Sequence, residues 1–171
     1  LCDYRSITHE YLHCPDNAHI KRHAYKGFRL QHFADGGNRA TKFERDEKLL
    51  REALSDKSTP LSLKRRYSFY LGRTLEDLGK HDDALRWYEQ RARWGGWVEE
   101  AFFAQYRASL CMMRNKTYTR VQVEASFREA TRMLPYRSEP YYWLARMARD
   151  HNEMPECVRL CTEGTMRVSQ V

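Results

Sequence analysis

The chain has 171 residues, 30 Lys and Arg against 23 Asp and Glu, a formal net charge of +7, and 42% hydrophobic residues. That length permits one domain with a real core or a short array of repeats, and needs no metal to fold. The positive surplus favours anionic partners such as nucleotides, phosphates or an acidic surface. Its basic residues are scattered, however, and the densest run, KRRY at 64–67, reads as a solvated helical face, so nucleic acid is not an expected partner.

No apolar run reaches membrane-spanning length and no signal-peptide core is recognisable, so membrane insertion is not expected. The five cysteines (Cys2, Cys14, Cys111, Cys157 and Cys161) include no C-x-x-C pair. Cys157 and Cys161, four apart, read as small core residues on a helix. A reducing, cytoplasmic setting is the simpler expectation. The chain begins with Leu, which suggests a piece of a larger parent protein.

Residues 1–37 differ from the rest. YRSITHEYLH and FRLQHF carry β-branched and aromatic residues and are bounded by CPDN, KG and DGG, which predicts strands and turns. The stretch HEYLHCPDNAH, residues 9–19, also matches H-E-x-x-H. On a helix, His9 and His13 would share one face and could hold Zn²⁺, with Glu10 as general base and His19 as a third ligand. That makes a zinc metalloprotease a remote alternative. Pro15 disfavours helical geometry at Cys14, and the strand-like flanks leave no room for the ligand helix.

From residue 40 the signal is helical. TKFERDEKLLREAL sets Phe43, Leu49, Leu50, Ala53 and Leu54 against charge, with Thr41 and Glu44 as an expected capping box. KRRYSFYLGRTLEDLG follows, with Gly79 placed to end it. HDDALRWYEQRARW comes next, stopped by Gly95 and Gly96, with Asp82 or Asp83 complementing the helix dipole. VEEAFFAQYRASLCMMR, TRVQVEASFREATRML, EPYYWLARMARDH and PECVRLCTEGTMRV continue the series, and Pro140 and Pro155 suit helix starts.

Helix pairs joined by short turns invite a search for repeats. Leu71, Gly72, Leu75, Gly79, Ala84 and Tyr88 fit the spacing of a tetratricopeptide unit. Val123, Phe127, Ala130 and Pro135 close a second, and Leu144, Ala145, Ala148, Cys157 and Cys161 mark a third. The first and third are related by an offset of 73, from Gly72 to Ala145 or from Gly79 to Asn152. This exceeds two ordinary periods of about 34 residues, and the excess is assigned to the turn NKTYTR. Arg91 stands where the pattern prefers Ala. The expected fold is therefore mainly α: a tetratricopeptide-like array of helical hairpins over 41–171, preceded by a short β and irregular segment over 1–40. Such arrays bind partners on the surface of their first helices, here Arg66, Tyr70, Arg73, Tyr106 and Arg107. Tyr and Arg at helical spacing also line ordinary grooves between repeats.

The series of segments resembles a known family. GFRLQHFADGGNRATKFERDEKLLREAL, RYSFYLGRTLEDLGKHDDALRWYEQRARWGGWVEEAFFAQYRASLCM and LPYRSEPYYWLARMARD are similar to the C-terminal half of family 2 glycosyltransferases that carry tetratricopeptide repeats behind a GT-A domain. The shared stretches are H-x-x-D-G-G-x-R, K-F-x-R-[DN]-x-x-L-L, R-Y-x-F-Y-L, W-Y-x-x-R, G-G-W-x-E-E and Y-R-x-E-P, over roughly residues 4–150. The resemblance implies that residues 1–40 are the end of a GT-A domain. It implies His9 as a residue at the nucleotide-sugar or metal site, and His32, Asp35 and Arg39 as substrate-binding residues. His13 and His19 match nothing in it.

The resemblance further implies a parent enzyme that transfers sugar from a nucleotide sugar with Mg²⁺ or Mn²⁺ held by a D-x-D-like carboxylate motif. No such motif or nucleotide-binding sheet precedes His9, so the chain alone is expected to hold no cofactor and to be inactive. Its repeats would position an acceptor, bind a protein or peptide, or mediate dimerisation. A free-standing tetratricopeptide scaffold is the alternative.

Overall fold

The computed structural model describes residues 3–14, 27 and 41–168. Two short strands, β1 (Asp3–Arg5) and β2 (Tyr11–His13), pair antiparallel with Asp3 opposite His13, Tyr4 opposite Leu12 and Arg5 opposite Tyr11. His9 lies in the turn between them with a positive φ of 51°. Residues 9–13 thus form a turn and a strand, and the ligand helix that H-E-x-x-H needs is not formed.

Among the described residues seven helices follow: α1 (Lys42–Ser55), α2 (Leu61–Asp77), α3 (His81–Arg93), α4 (Val98–Arg114), α5 (Arg120–Met133), α6 (Glu139–Asp150) and α7 (Met154–Val168). The chain is mainly α, as expected, and each helix packs chiefly on its neighbours in sequence. Side chains also reach every second helix. Phe69 of α2 meets Phe103 of α4, and Tyr106 of α4 meets Trp143 of α6. On the other side Arg51 of α1 meets Asp83 of α3, and Arg128 of α5 meets Glu156 of α7. Even-numbered helices therefore form one wall and odd-numbered helices the other. No helix among the described residues is long and apolar enough to cross a membrane.

The repeat register is visible in the helix ends. Gly79 (φ +73°) closes α2, with its N–H donating to the Glu76 carbonyl and that of Lys80 to Leu75. Seventy-three residues on, Asn152 (φ +60°) donates to Arg149 and Glu153 to Ala148. The two hairpins thus close with the same Schellman-type geometry, by Gly in one and Asn in the other, the residues that tolerate a left-handed backbone.

Within the first hairpin the close approach of α2 and α3 depends on Gly72, where a Cβ would lie 2.7 Å from Cε1 of the Tyr88 ring. In the last hairpin the small residue sits on the second helix instead: a Cβ on Gly164 would lie 2.9 Å from Cβ of Tyr141. Leu50, Leu71, Leu75, Leu85 and Tyr88 share one core with Ala104, Ala108 and Cys111. Val123, Phe127, Leu144, Ala148 and Leu160 form a second.

Three local expectations change. Thr41 makes no side-chain cap, whereas Thr119 forms a capping box with Gln122 at the start of α5. The turn 115–119 has five residues against three in each of 78–80 and 151–153, so only part of the repeat excess falls there. Cys157 packs at the edge of the second core, but Cys161 is exposed, because it faces out from the last hairpin rather than into it. Cys111, Cys157 and Cys161 are free thiols, while Cys14 is disulfide-bonded.

Candidate functional site

The even-numbered wall carries a cleft of about 340 Å³ between the middle of α2 and the start of α4, with Arg137 at its rim. Phe69, Tyr70 and Arg73 come from one stripe of α2, three and four residues apart. Phe69 is buried by edge contacts to Tyr70, Tyr88 and Phe103, with ring centroids 5.5, 6.4 and 5.9 Å away. The opposite lining, Trp97, follows the Gly95–Gly96 turn, where both residues have positive φ.

That turn is fixed from below by Arg91, whose side chain is 1% exposed. Its Nε donates to Glu100 Oε1 at 2.7 Å, Nη1 to the Gly95 carbonyl at 2.7 Å and Nη2 to the Trp97 carbonyl at 3.2 Å. Arg65 Nε holds the same turn through the Trp94 carbonyl at 3.0 Å. Buried charge is tolerated when it is paired and hydrogen-bonded like this. The consequence is that Trp97 stands 66% exposed over the cleft on a rigid base.

The charges of the cleft are unequal in their engagement. Glu100 is held by Arg91, while Glu99 accepts from Tyr136 and Arg137. Arg73 makes no ion pair among the described residues, and its guanidinium lies 6.0 Å from the Tyr70 ring centroid. Chemically the cleft offers aromatic surfaces beside an uncompensated cation. It suits a ligand with a flat or apolar body and an anionic group.

The N-terminal hairpin docks beside this cleft. Arg66 Nη2 donates to the His9 carbonyl at 2.7 Å, and its guanidinium lies 4.5 Å from the Tyr11 ring centroid and 4.8 Å from that of Tyr70. His9 stacks on Tyr70 with centroids 4.0 Å apart. Its pKa is lowered, first by partial burial against that ring and then by Arg73, Lys42 and Arg66, with Asp46 opposing. Those cations favour an anion over a divalent cation beside His9.

Arg66, Tyr70 and Arg73, expected to serve one surface, thus come together. Tyr106 and Arg107 do not join them. Tyr106 accepts from Trp143 Nε1 at 3.0 Å, and Arg107 Nε donates to Glu76 at 2.9 Å. Both hold neighbouring helices together. His32, Asp35 and Arg39 lie outside the described residues.

Among the described residues one group has the composition of a metal site: Glu76, His81 and Cys111. The Nδ1 of His81 is buried with no hydrogen-bond partner. Glu76, however, already accepts from Tyr88 Oη at 3.0 Å, Arg107 Nε at 2.9 Å and Arg114 Nη1 at 3.1 Å. Burial and the Glu76 charge push the Cys111 thiol up to about 12. A carboxylate that already accepts from two guanidinium groups and a tyrosine hydroxyl is a poor ligand for a cation. The same surroundings push the Tyr88 hydroxyl far above its ordinary range, through burial first and Glu76 second. The cluster reads as a buried network joining α2, α3 and α4.

No protein-family model matches the chain, and no curated protein sequence does. Sequence reasoning missed Trp97, Arg137 and the Arg91–Glu100 pair as parts of the site. One signal was present: Arg91 at a position where the repeat spacing asks for Ala.

Proposed function

We propose that the helical array is a recognition module that takes a protein, peptide or acceptor segment in the cleft between Tyr70, Arg73 and Trp97, and that the chain is inactive alone. The observation that carries this is the cleft itself: exposed aromatic surface on a clamped turn beside a cation with no acidic partner among the described residues. Isothermal titration calorimetry with peptides that carry an aromatic residue next to acidic ones is expected to show binding, with Arg73→Glu and Trp97→Ala removing it while the far-ultraviolet circular dichroism stays unchanged. Binding that survives both substitutions would move the site elsewhere.

The parent is, in the same reading, a nucleotide-sugar-dependent glycosyltransferase that uses Mg²⁺ or Mn²⁺. Support comes from how the recognised segments meet. R-Y-x-F-Y-L supplies Phe69 and Tyr70, W-Y-x-x-R supplies Arg91, and G-G-W-x-E-E supplies Trp97 and the Glu100 that Arg91 holds. Joining the upstream part of the parent reading frame is expected to confer metal-dependent hydrolysis or transfer of a nucleotide sugar. An upstream frame without an α/β domain would leave the free-standing scaffold. A cytoplasmic setting belongs to this reading and is supported by the free thiols Cys111, Cys157 and Cys161, while the Cys14 disulfide counts against it.

A further inference from the structure

The β1–β2 hairpin sits on α2 through the kind of contacts a bound peptide makes. The Arg66 guanidinium lies 4.5 Å from the Tyr11 ring of the hairpin and 4.8 Å from the Tyr70 ring of α2, and its Nη2 donates to the His9 carbonyl at 2.7 Å. His9 stacks on Tyr70 with centroids 4.0 Å apart. One main-chain carbonyl and two rings, two residues apart in sequence, thus occupy Arg66 and Tyr70. Tyr70 is at the same time a wall of the cleft.

Three features weaken this occupancy. Ser6 (φ 96°) and His9 (φ 51°) are non-glycine residues with left-handed backbone, a conformation that persists where surrounding contacts impose it. Docking leaves Arg66 Nε and Thr8 Oγ1 buried without hydrogen-bond partners, a cost that release into water removes. The larger apolar side chains of the hairpin do not offset that cost, since Tyr4, Ile7 and Leu12 are all exposed. Two strands of three residues are, moreover, marginal on their own. The docked hairpin also leaves one group unused. Arg73, whose guanidinium lies 6.0 Å from the same Tyr70 ring, makes no ion pair among the described residues. A segment that repeats the ring contacts and adds a carboxylate for Arg73 gains a charge-assisted contact that the hairpin does not make.

We propose that the hairpin is a displaceable occupant of the ligand's own subsite. A partner segment in extended conformation, with two aromatic side chains two residues apart and an acidic residue beside them, takes Arg66 and Tyr70 from Tyr11 and His9, pairs with Arg73 and releases the hairpin. This rests on the reading of the cleft as a peptide site and adds to it the spacing of the rings and a competitor built into the chain. While the hairpin is docked, the apparent affinity for the partner is reduced to the fraction of chains whose subsite is open.

The test uses the whole 171-residue chain and a synthetic peptide with two tyrosines separated by one residue and flanked by glutamates, with calorimetry for affinity and amide exchange for the hairpin. Saturating peptide is expected to speed the exchange of residues 3–14 to the rate seen in the double variant His9→Ala, Tyr11→Ala. That variant is expected to bind the peptide at least about tenfold more tightly, as when the hairpin is docked in about nine chains of ten, with circular dichroism unchanged. Binding that leaves either the exchange of residues 3–14 or the affinity of the variant unchanged would overturn the displaced hairpin and leave the peptide cleft standing. No binding to either chain would overturn both.

Discussion

Replacing Arg91 with Leu removes one guanidinium and strands three acceptors. Glu100 Oε1 loses its 2.7 Å partner, and the carbonyls of Gly95 and Trp97 lose theirs. The two side chains are 1% and 8% exposed, so water does not readily replace the lost partner at the carboxylate. Breaking a buried pair from one side costs about 3–5 kcal/mol. The carbonyls add little, because Trp97 is exposed and Gly95 partly so. Urea unfolding at neutral pH is the assay, with the midpoint read at constant slope. The double variant Arg91→Leu, Glu100→Leu is expected to recover more than half of the loss, since an apolar pair of similar volume is often neutral in place of an ion pair. A single-variant loss below about 1 kcal/mol, or a double variant worse than the single, would refute the clamp as described.

Three other predictions concern the packing and the docked hairpin. Gly72→Ala forces a methyl to within 2.7–2.8 Å of a Tyr88 ring that is fully buried and tethered through its hydroxyl to Glu76. Overpacking costs about 1–3 kcal/mol and better helix propensity returns up to about 1, so thermal unfolding should show a net loss of about 1–2 kcal/mol. Thr119→Ala removes the hydroxyl arm of the α5 capping box, while the backbone N–H of residue 119 still donates to Gln122, and should cost about 1 kcal/mol by the same measurement.

The third prediction is a pH dependence at His9. The folded chain lowers the His9 pKa below its ordinary 6.5, so the unfolded or undocked chain binds the proton more readily. Docking of the hairpin should be fully stable above that value and weaken as pH falls from about 6.5 toward the folded pKa. Amide exchange of residues 3–14 checks this; a His9→Phe variant should keep the stacking on Tyr70 and lose the pH dependence, and an unchanged dependence would reject the assignment.

How far the fold was legible follows from what kind of signal each part leaves. The helices announced themselves through apolar spacing and through Gly79, Gly95 and Gly96, residues whose positive φ gives them a local reason to be there. The 73-residue register was legible for the same reason, and Asn152 repeats the geometry of Gly79 to the hydrogen bond. The capping box was misplaced because Thr41 and Thr119 both satisfy the sequence rule, and only the backbone leading into each helix decides which hydroxyl can turn back. Cys161 was misread because helical spacing marks a stripe without saying whether another helix will cover it.

The site was less legible, and Arg91 shows why. In sequence it is only a misfit, a large cation where the first repeat should carry a small residue. In the structure that misfit is what holds the Gly95–Gly96 turn, and the turn is what lifts Trp97 over the cleft. The residue that departs from the expected spacing is thus the one that makes contacts a small residue cannot make. Ala at position 91 could satisfy neither the Gly95 carbonyl nor Glu100. Arg66, Tyr70 and Arg73 follow a different logic: they were legible as a stripe on one helix, whereas Tyr106 and Arg107, equally well spaced, were claimed by Trp143 and Glu76 on neighbouring helices. Spacing identifies which side chains leave a helix together; the partners that meet them come from other turns of the array, and those decide whether a residue binds outward or holds the wall together.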